Sequence, residues 1–178
     1  MNARTQLIGS ITAFVLALVG SVSAQAAGQT AKATLPQVQA SAKQWQDDAV
    51  LVHLSSTKIQ PDGTVSEWKY SFYSPKSQKR CVATVRGDKV TVKEVHLGNY
   101  TEPLGDFIDS DKAMEVAKKN GLKGNEPSMS VVGAAGARAD GTTWIVTGGW
   151  KMGVDTTISL DAKTGKFTHR TVLGADDD

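Results

Sequence analysis

Asp62-Gly63-Thr64 returns 78 residues later as Asp140-Gly141-Thr142. Trp68 is answered by Trp144 after 76 residues, and Gly87 by Gly165 after 78. The apolar run Val50-Leu51-Val52-His53-Leu54 precedes the first Asp-Gly, and Met129-Ser130-Val131-Val132 holds the same place before the second. An Asp-Gly pair is a common turn signal, so one match has little weight. Several matches in one order at near-constant spacing point to an internal duplication. That is the tightest constraint on the fold: each copy is then a unit of roughly 75 residues, too small to bury a secure core alone. The two copies are expected to pack against each other.

Both copies read as a helix followed by strands. In the second, Asp109 or Ser110 can cap a helix over residues 111–120, and Gly121 can close it. Ala113, Val116 and Ala117 fall at i, i+3 and i+4, which makes one apolar stripe. In the first, a helix over about residues 36–47 would carry Pro36 in its opening turn, where proline is tolerated. Period-two alternation marks strands around Tyr70 and Phe72, from Cys81 to Val85, and from Val90 to Val95. Residues 144–146, 156–160 and 167–172 give three more. Gly87-Asp88 makes a tight hairpin turn. In the later hairpin, Asp161 can bond nearby backbone amides, and Phe167 is expected to resume the inward face.

The expected fold is α+β: two tandem repeats, each one helix packed on an antiparallel sheet of three to four strands. Their spans are 35–97 and 109–173, with a linker at 98–108. The alternative is a small β-barrel or sandwich with one helix, because short strands are many. Residues 1–26 have the pattern of a signal peptide: Arg4, an apolar stretch over residues 7–19, then Ala24-Gln25-Ala26 as an A-x-A cleavage site. The stretch is shorter than the ~20 residues of a spanning helix. A flexible tether (27–34) and an acidic tail (174–178) complete the chain. The expected location is periplasmic or secreted, with no membrane association after cleavage.

Residues 108–172 resemble the PepSY-like domain of peptidase propeptides and exported bacterial proteins. The run Asp111-Lys112-Ala113-Met114-Glu115-Val116-Ala117-Lys118-Lys119 is similar to that family's opening helix. Ile158-Ser159-Leu160-Asp161-Ala162-Lys163-Thr164-Gly165-Lys166-Phe167 is similar to its final hairpin. The first half is at most a diverged copy. The resemblance implies a fold, and by analogy a module that restrains peptidases; it supplies no site residues.

Charge nearly balances, with 20 Lys and Arg against 18 Asp and Glu. That excludes a strongly basic nucleic-acid binder, which needs clustered cations. One cysteine excludes an internal disulfide framework and a cysteine-based zinc cluster. Cys81 begins a strand and reads as a small buried hydrophobe. His53, His96 and His169 show no metal-ligand spacing, although His96 and His169 could lie at related corners of two sheets. Phosphate cradles and G-x-S-x-G are absent, and no carboxylate pair is singled out. No enzyme activity, metal or cofactor is expected.

The aromatic residues are the remaining lead. Tyr73 should face away from Tyr70. Gly148-Gly149-Trp150-Lys151-Met152-Gly153 sets a tryptophan between glycines beside a cation, a combination suited to gripping a partner. The plainer alternative is that the glycines bend an edge strand and Trp150 covers the core. Trp150, Lys151 and Tyr73 are the candidate partner-binding residues. The expected function is an exported non-catalytic binding or inhibitory module acting on a protein such as a peptidase. The alternative is a periplasmic carrier of a small apolar ligand held between helix and sheet.

Overall fold

The computed structural model describes residues 28–96, 101–133, 141–149 and 155–174. The leader, Asp140, Trp150, Lys151 and residues 175–178 lie outside them. The chain runs α1 (Ala31–Trp45), β1 (Val50–Ser56), β2 (Glu67–Ser74), β3 (Lys79–Arg86), β4 (Lys89–Val95), α2 (Ser110–Lys119), β5 (Asn125–Val132), β6 (Thr143–Gly149), β7 (Asp155–Asp161) and β8 (Phe167–Leu173).

All eight strands join one antiparallel sheet in the order β4-β3-β2-β1-β5-β6-β7-β8. This corrects the expected pair of three-to-four-stranded sheets, and equally the barrel or sandwich. Among the described residues there is one open sheet, with β4 and β8 at its ends. The joint is β1 against β5, from His53 opposite Val132 to Ser56 opposite Met129. Left apart, the two strands would each hold a row of unpaired backbone N–H and C=O groups inside the molecule. Joining them removes two of four edges.

One cross-strand row shows how the core is built. Ala83, Tyr70, Leu54, Val131, Trp144 and Leu160 face one another across six strands, and all six are completely buried. Cross-strand partners share a face, so α1 and α2 cover the same side. α1 buries Ala31, Thr34, Val38 and Ala42, and α2 buries Ser110, Ala113, Met114 and Ala117. The row continues to Val92 at one end and Phe167 at the other. Val92 is half-buried, but Phe167 is 38% exposed. The expectation that Phe167 turns inward is therefore corrected: it lies on the core side of the sheet, beyond the reach of α2.

α1 begins at Ala31, not Pro36, and carries Pro36 inside. The proline removes the hydrogen bond that the Lys32 carbonyl would accept. The extra turn is capped by Thr30, whose hydroxyl accepts from the Ala33 N–H at 3.4 Å, and by groups at the start of α2. Asp109 caps α2 through the Ser110 N–H at 2.8 Å. The same carboxylate accepts from the Lys32 N–H at 2.8 Å and the Thr30 hydroxyl at 2.7 Å. The Ser110 hydroxyl accepts from the Ala31 N–H at 3.0 Å and donates to the Gly63 carbonyl at 2.8 Å. The two helices thus share one capping acid, which both positive N-terminal ends favour. Gly63, at φ +81°, lies against the α2 backbone, and a Cβ there would strike Ser110 and Asp111.

Trp68 and Trp144 have matching roles. The Trp68 Nε1 donates to the Gln29 carbonyl at 2.8 Å, just ahead of α1. The Trp144 Nε1 donates to the Ile108 carbonyl at 3.0 Å, just ahead of α2.

Candidate functional site

Among the described residues a ligand can meet a groove beside α1, a smaller cavity of about 600 Å³ between α2 and the start of β5, the face opposite the helices, or the two edges. The groove, about 840 Å³, lies between α1 and residues 103–107. Leu35, Gln39 and Lys43 line the helix side, Leu51 and Phe72 the floor, and Leu104 the far wall. Its cations are already engaged. Lys32 pairs with Asp106 at 3.2 Å and sits 5.4 Å from the centre of the Phe107 ring. Lys43 Nζ donates to the Asp47 carbonyl at 2.8 Å.

The opposite face carries small polar side chains. Ser71 is paired with His53, Ser55 with Ser130, Thr84 with Thr91, and Thr157 with both Thr147 and Thr171. Tyr73 is here, half-buried on β2 and turned away from Tyr70 as the alternation requires. The Arg80 guanidinium lies 5.2 Å from the centre of its ring. Five strand spacings, about 24 Å, separate Tyr73 from β8. Trp150 and Lys151 lie outside the described residues. Their neighbours Gly148 and Gly149 are on β6, inside the sheet, so the edge-strand account of these glycines is corrected. A Cβ on either would run into the carbonyl oxygens of Lys123 and Asn125. Close approach of β5 and the residues just before it explains both.

The candidate reactive groups are placed as follows. Cys81 is fully buried on β3, and burial, reinforced by the Glu94 carboxylate, pushes its thiol up to about 12. Because the thiolate is the nucleophile, Cys81 is a packing residue. Burial lowers the pKa of His53, favouring the neutral ring. His96 follows β4 and His169 lies on β8, so they sit at opposite edges of one sheet, not at related corners of two.

The two edges differ. On β4, Val90 and Val92 pack against the core beneath α1. Trp45 Nε1 reaches Glu94 at 3.3 Å, and Lys79 pairs with the same carboxylate at 3.1 Å. On β8, six of seven residues are exposed. Phe167 is 38%, Val172 51% and Leu173 60% exposed. An outer strand directs alternate N–H and C=O groups away from the sheet, ready to pair with another chain. The turn feeding β8 is rigid: Asp161 Oδ1 accepts from the Thr164 N–H at 2.7 Å and its hydroxyl at 2.6 Å. Inspection of the sequence did not single out β8. Its signal was a last strand with Phe, Val and Leu after a ten-residue helix.

No family model matches the chain, and no curated protein does. The PepSY-like resemblance therefore remains a resemblance. Among solved structures, the chain is similar to the crystal structure of a proposed lipoprotein from Clostridium difficile 630. Identity is 14%, over 78% of this chain and 91% of that one, with a TM-score of 0.51. At that identity the likeness shows the fold alone.

Proposed function

We propose that this chain is an exported, non-catalytic binding module that engages a protein partner by adding a strand of the partner to β8. The observation that carries it is the pairing of an open antiparallel edge with exposed Phe167, Val172 and Leu173. Main-chain hydrogen bonds supply affinity in this mode, and alternate side chains supply selectivity. Export is supported by the leader pattern of residues 1–26, and no described helix is long and apolar enough to cross a membrane. The PepSY-like resemblance supports a peptidase as partner by fold-level analogy only.

The groove beside α1 favours a second reading, carriage of a small apolar ligand, because its floor includes Leu51 and Phe72. The two separate by variant. Val172→Lys places a charge on the edge, a common natural guard against strand addition. Capture of a partner from the exported fraction should fail with Val172→Lys and survive Leu51→Ser, with both variants folded by circular dichroism. Capture unaffected by Val172→Lys, or lost only with Leu51→Ser, sinks the strand-addition reading. Recovery of the chain with Met1 retained sinks export.

A further inference from the structure

We propose that the strand β8 receives is acidic, an inference that rests on the strand-addition reading above. From Ala162 to Gly174 the chain has no Asp or Glu, yet it carries Lys163, Lys166, His169 and Arg170. Residues 167–170 are all exposed. The Arg170 guanidinium packs beside Gly121, at the end of α2, whose last turn adds Lys118 and Lys119. Lys119 is paired with Glu115 and Lys118 Nζ donates to the Pro61 carbonyl at 3.4 Å, so the unpaired positive charge lies on the edge itself, at Lys166 and Arg170. Asp161 and Asp106 lie close enough to Lys163 to offset it, Glu115 pairs with Lys119 at 2.7 Å, Asp155 sits opposite Leu173 at the far end of β8, and Asp176, Asp177 and Asp178 follow β8 in sequence. Lys166 and Arg170, on the edge itself, are in no ion pair among the described residues. The first part of the edge therefore attracts carboxylates, and its last two residues offer apolar contact.

The same charge argues against a second copy as the occupant. A two-fold antiparallel pairing of β8 about Arg170 would set Arg170 against Arg170, with His169 opposite Thr171 and Lys166 opposite Gly174. Like charges directly opposite on paired strands are destabilising. The β4 edge also carries exposed Lys89 and Lys93, but Glu94 lies among them and Val90 and Val92 are packed on the core, so it offers less apolar contact than β8.

The test uses the full chain and two blocked ten-residue peptides, one alternating glutamate and valine, the other lysine and valine. Binding is read by anisotropy, and its position by amide hydrogen exchange over residues 167–173. The glutamate peptide should slow exchange in β8 and bind about tenfold more tightly than its lysine twin, the advantage shrinking as salt rises. Lys166→Glu with Arg170→Glu should reverse the preference. Lys163→Glu with Lys166→Glu should also reverse it while leaving the Arg170 contact with α2 intact, in case the first pair fails to fold. Equal protection of β8 by both peptides overturns the acidic inference but leaves strand addition standing. Protection by neither peptide, with partner capture insensitive to Val172→Lys, overturns strand addition itself. Concentration-dependent dimerisation that protects β8 makes a second copy the occupant and overturns the proposal.

Discussion

α1 is 15 residues long and packs over β2, β3 and β4, out to the edge of the sheet. α2 is 10 residues long and packs over β6 and β7, one strand short of the other edge. Each helix precedes a four-strand meander on the same face of one sheet, so the two ends differ in cover, not in architecture. Where the cover is complete, Val90 and Val92 become core. Where it stops short, Phe167 and Val172 stay in water although Leu160 and Thr156 opposite them are fully buried. α2 is five residues shorter than α1, some 7–8 Å at 1.5 Å per residue, and the outer strand on its side is the exposed one.

The comparison breaks first if the two interiors are unlike. Trp68 and Trp144 are both fully buried with their Nε1 groups satisfied. Replacing either with alanine should cost about 3–5 kcal/mol, measured by denaturant unfolding. A small effect at one would show that the two ends differ in more than cover. Next, Asp109→Ala removes a cap from both helices and should cost about 2–3 kcal/mol, against about 1 for Thr30→Ala. Equal costs for the two would show that the shared carboxylate does little for α1.

The outer strands test the cover directly. Val92→Ala should cost about 1 kcal/mol and Val172→Ala less than about 0.5, since only the first side chain is shielded. A Val172→Ala cost matching that of Val92→Ala would mean that β8 is protected in solution. The smallest effect is a gain. The Thr156 hydroxyl is buried on β7 with no hydrogen-bond partner among the described residues. Thr156→Val keeps the shape and should stabilise by up to about 1 kcal/mol. A loss on thermal melting would reveal a partner for that hydroxyl.

Much of the strand content was legible because it rests on local alternation. Tyr70 and Tyr73 face opposite sides, as their spacing requires, and the Asp161-Thr164 turn follows from its own residues. The α2 stripe was legible too, though Met114 at its centre was passed over. What failed was non-local. The β1–β5 joint pairs residues about 80 positions apart, and neither strand advertises which partner it will take. α1 begins before Pro36 because Asp109 and Ser110, from the far half, join Thr30 in capping it. Phe167 was expected inside because its strand alternates correctly; its exposure depends on where a different element, α2, ends. Of the candidate site residues, Tyr73 lies five strands from β8, and the exposure of β8 follows from the same non-local feature.

The shared Asp109 also sets an order of events. The N–H groups of Ala31 and Lys32 find their acceptors 77–79 residues downstream. An isolated 15-residue helix is marginal in water, and α1 carries a proline besides. During synthesis, at about 5–20 residues per second, α1 would wait several seconds before Asp109 emerged to join its Thr30 cap. Until the second half arrives α1 has only its Thr30 cap, and then both helices lock on one carboxylate.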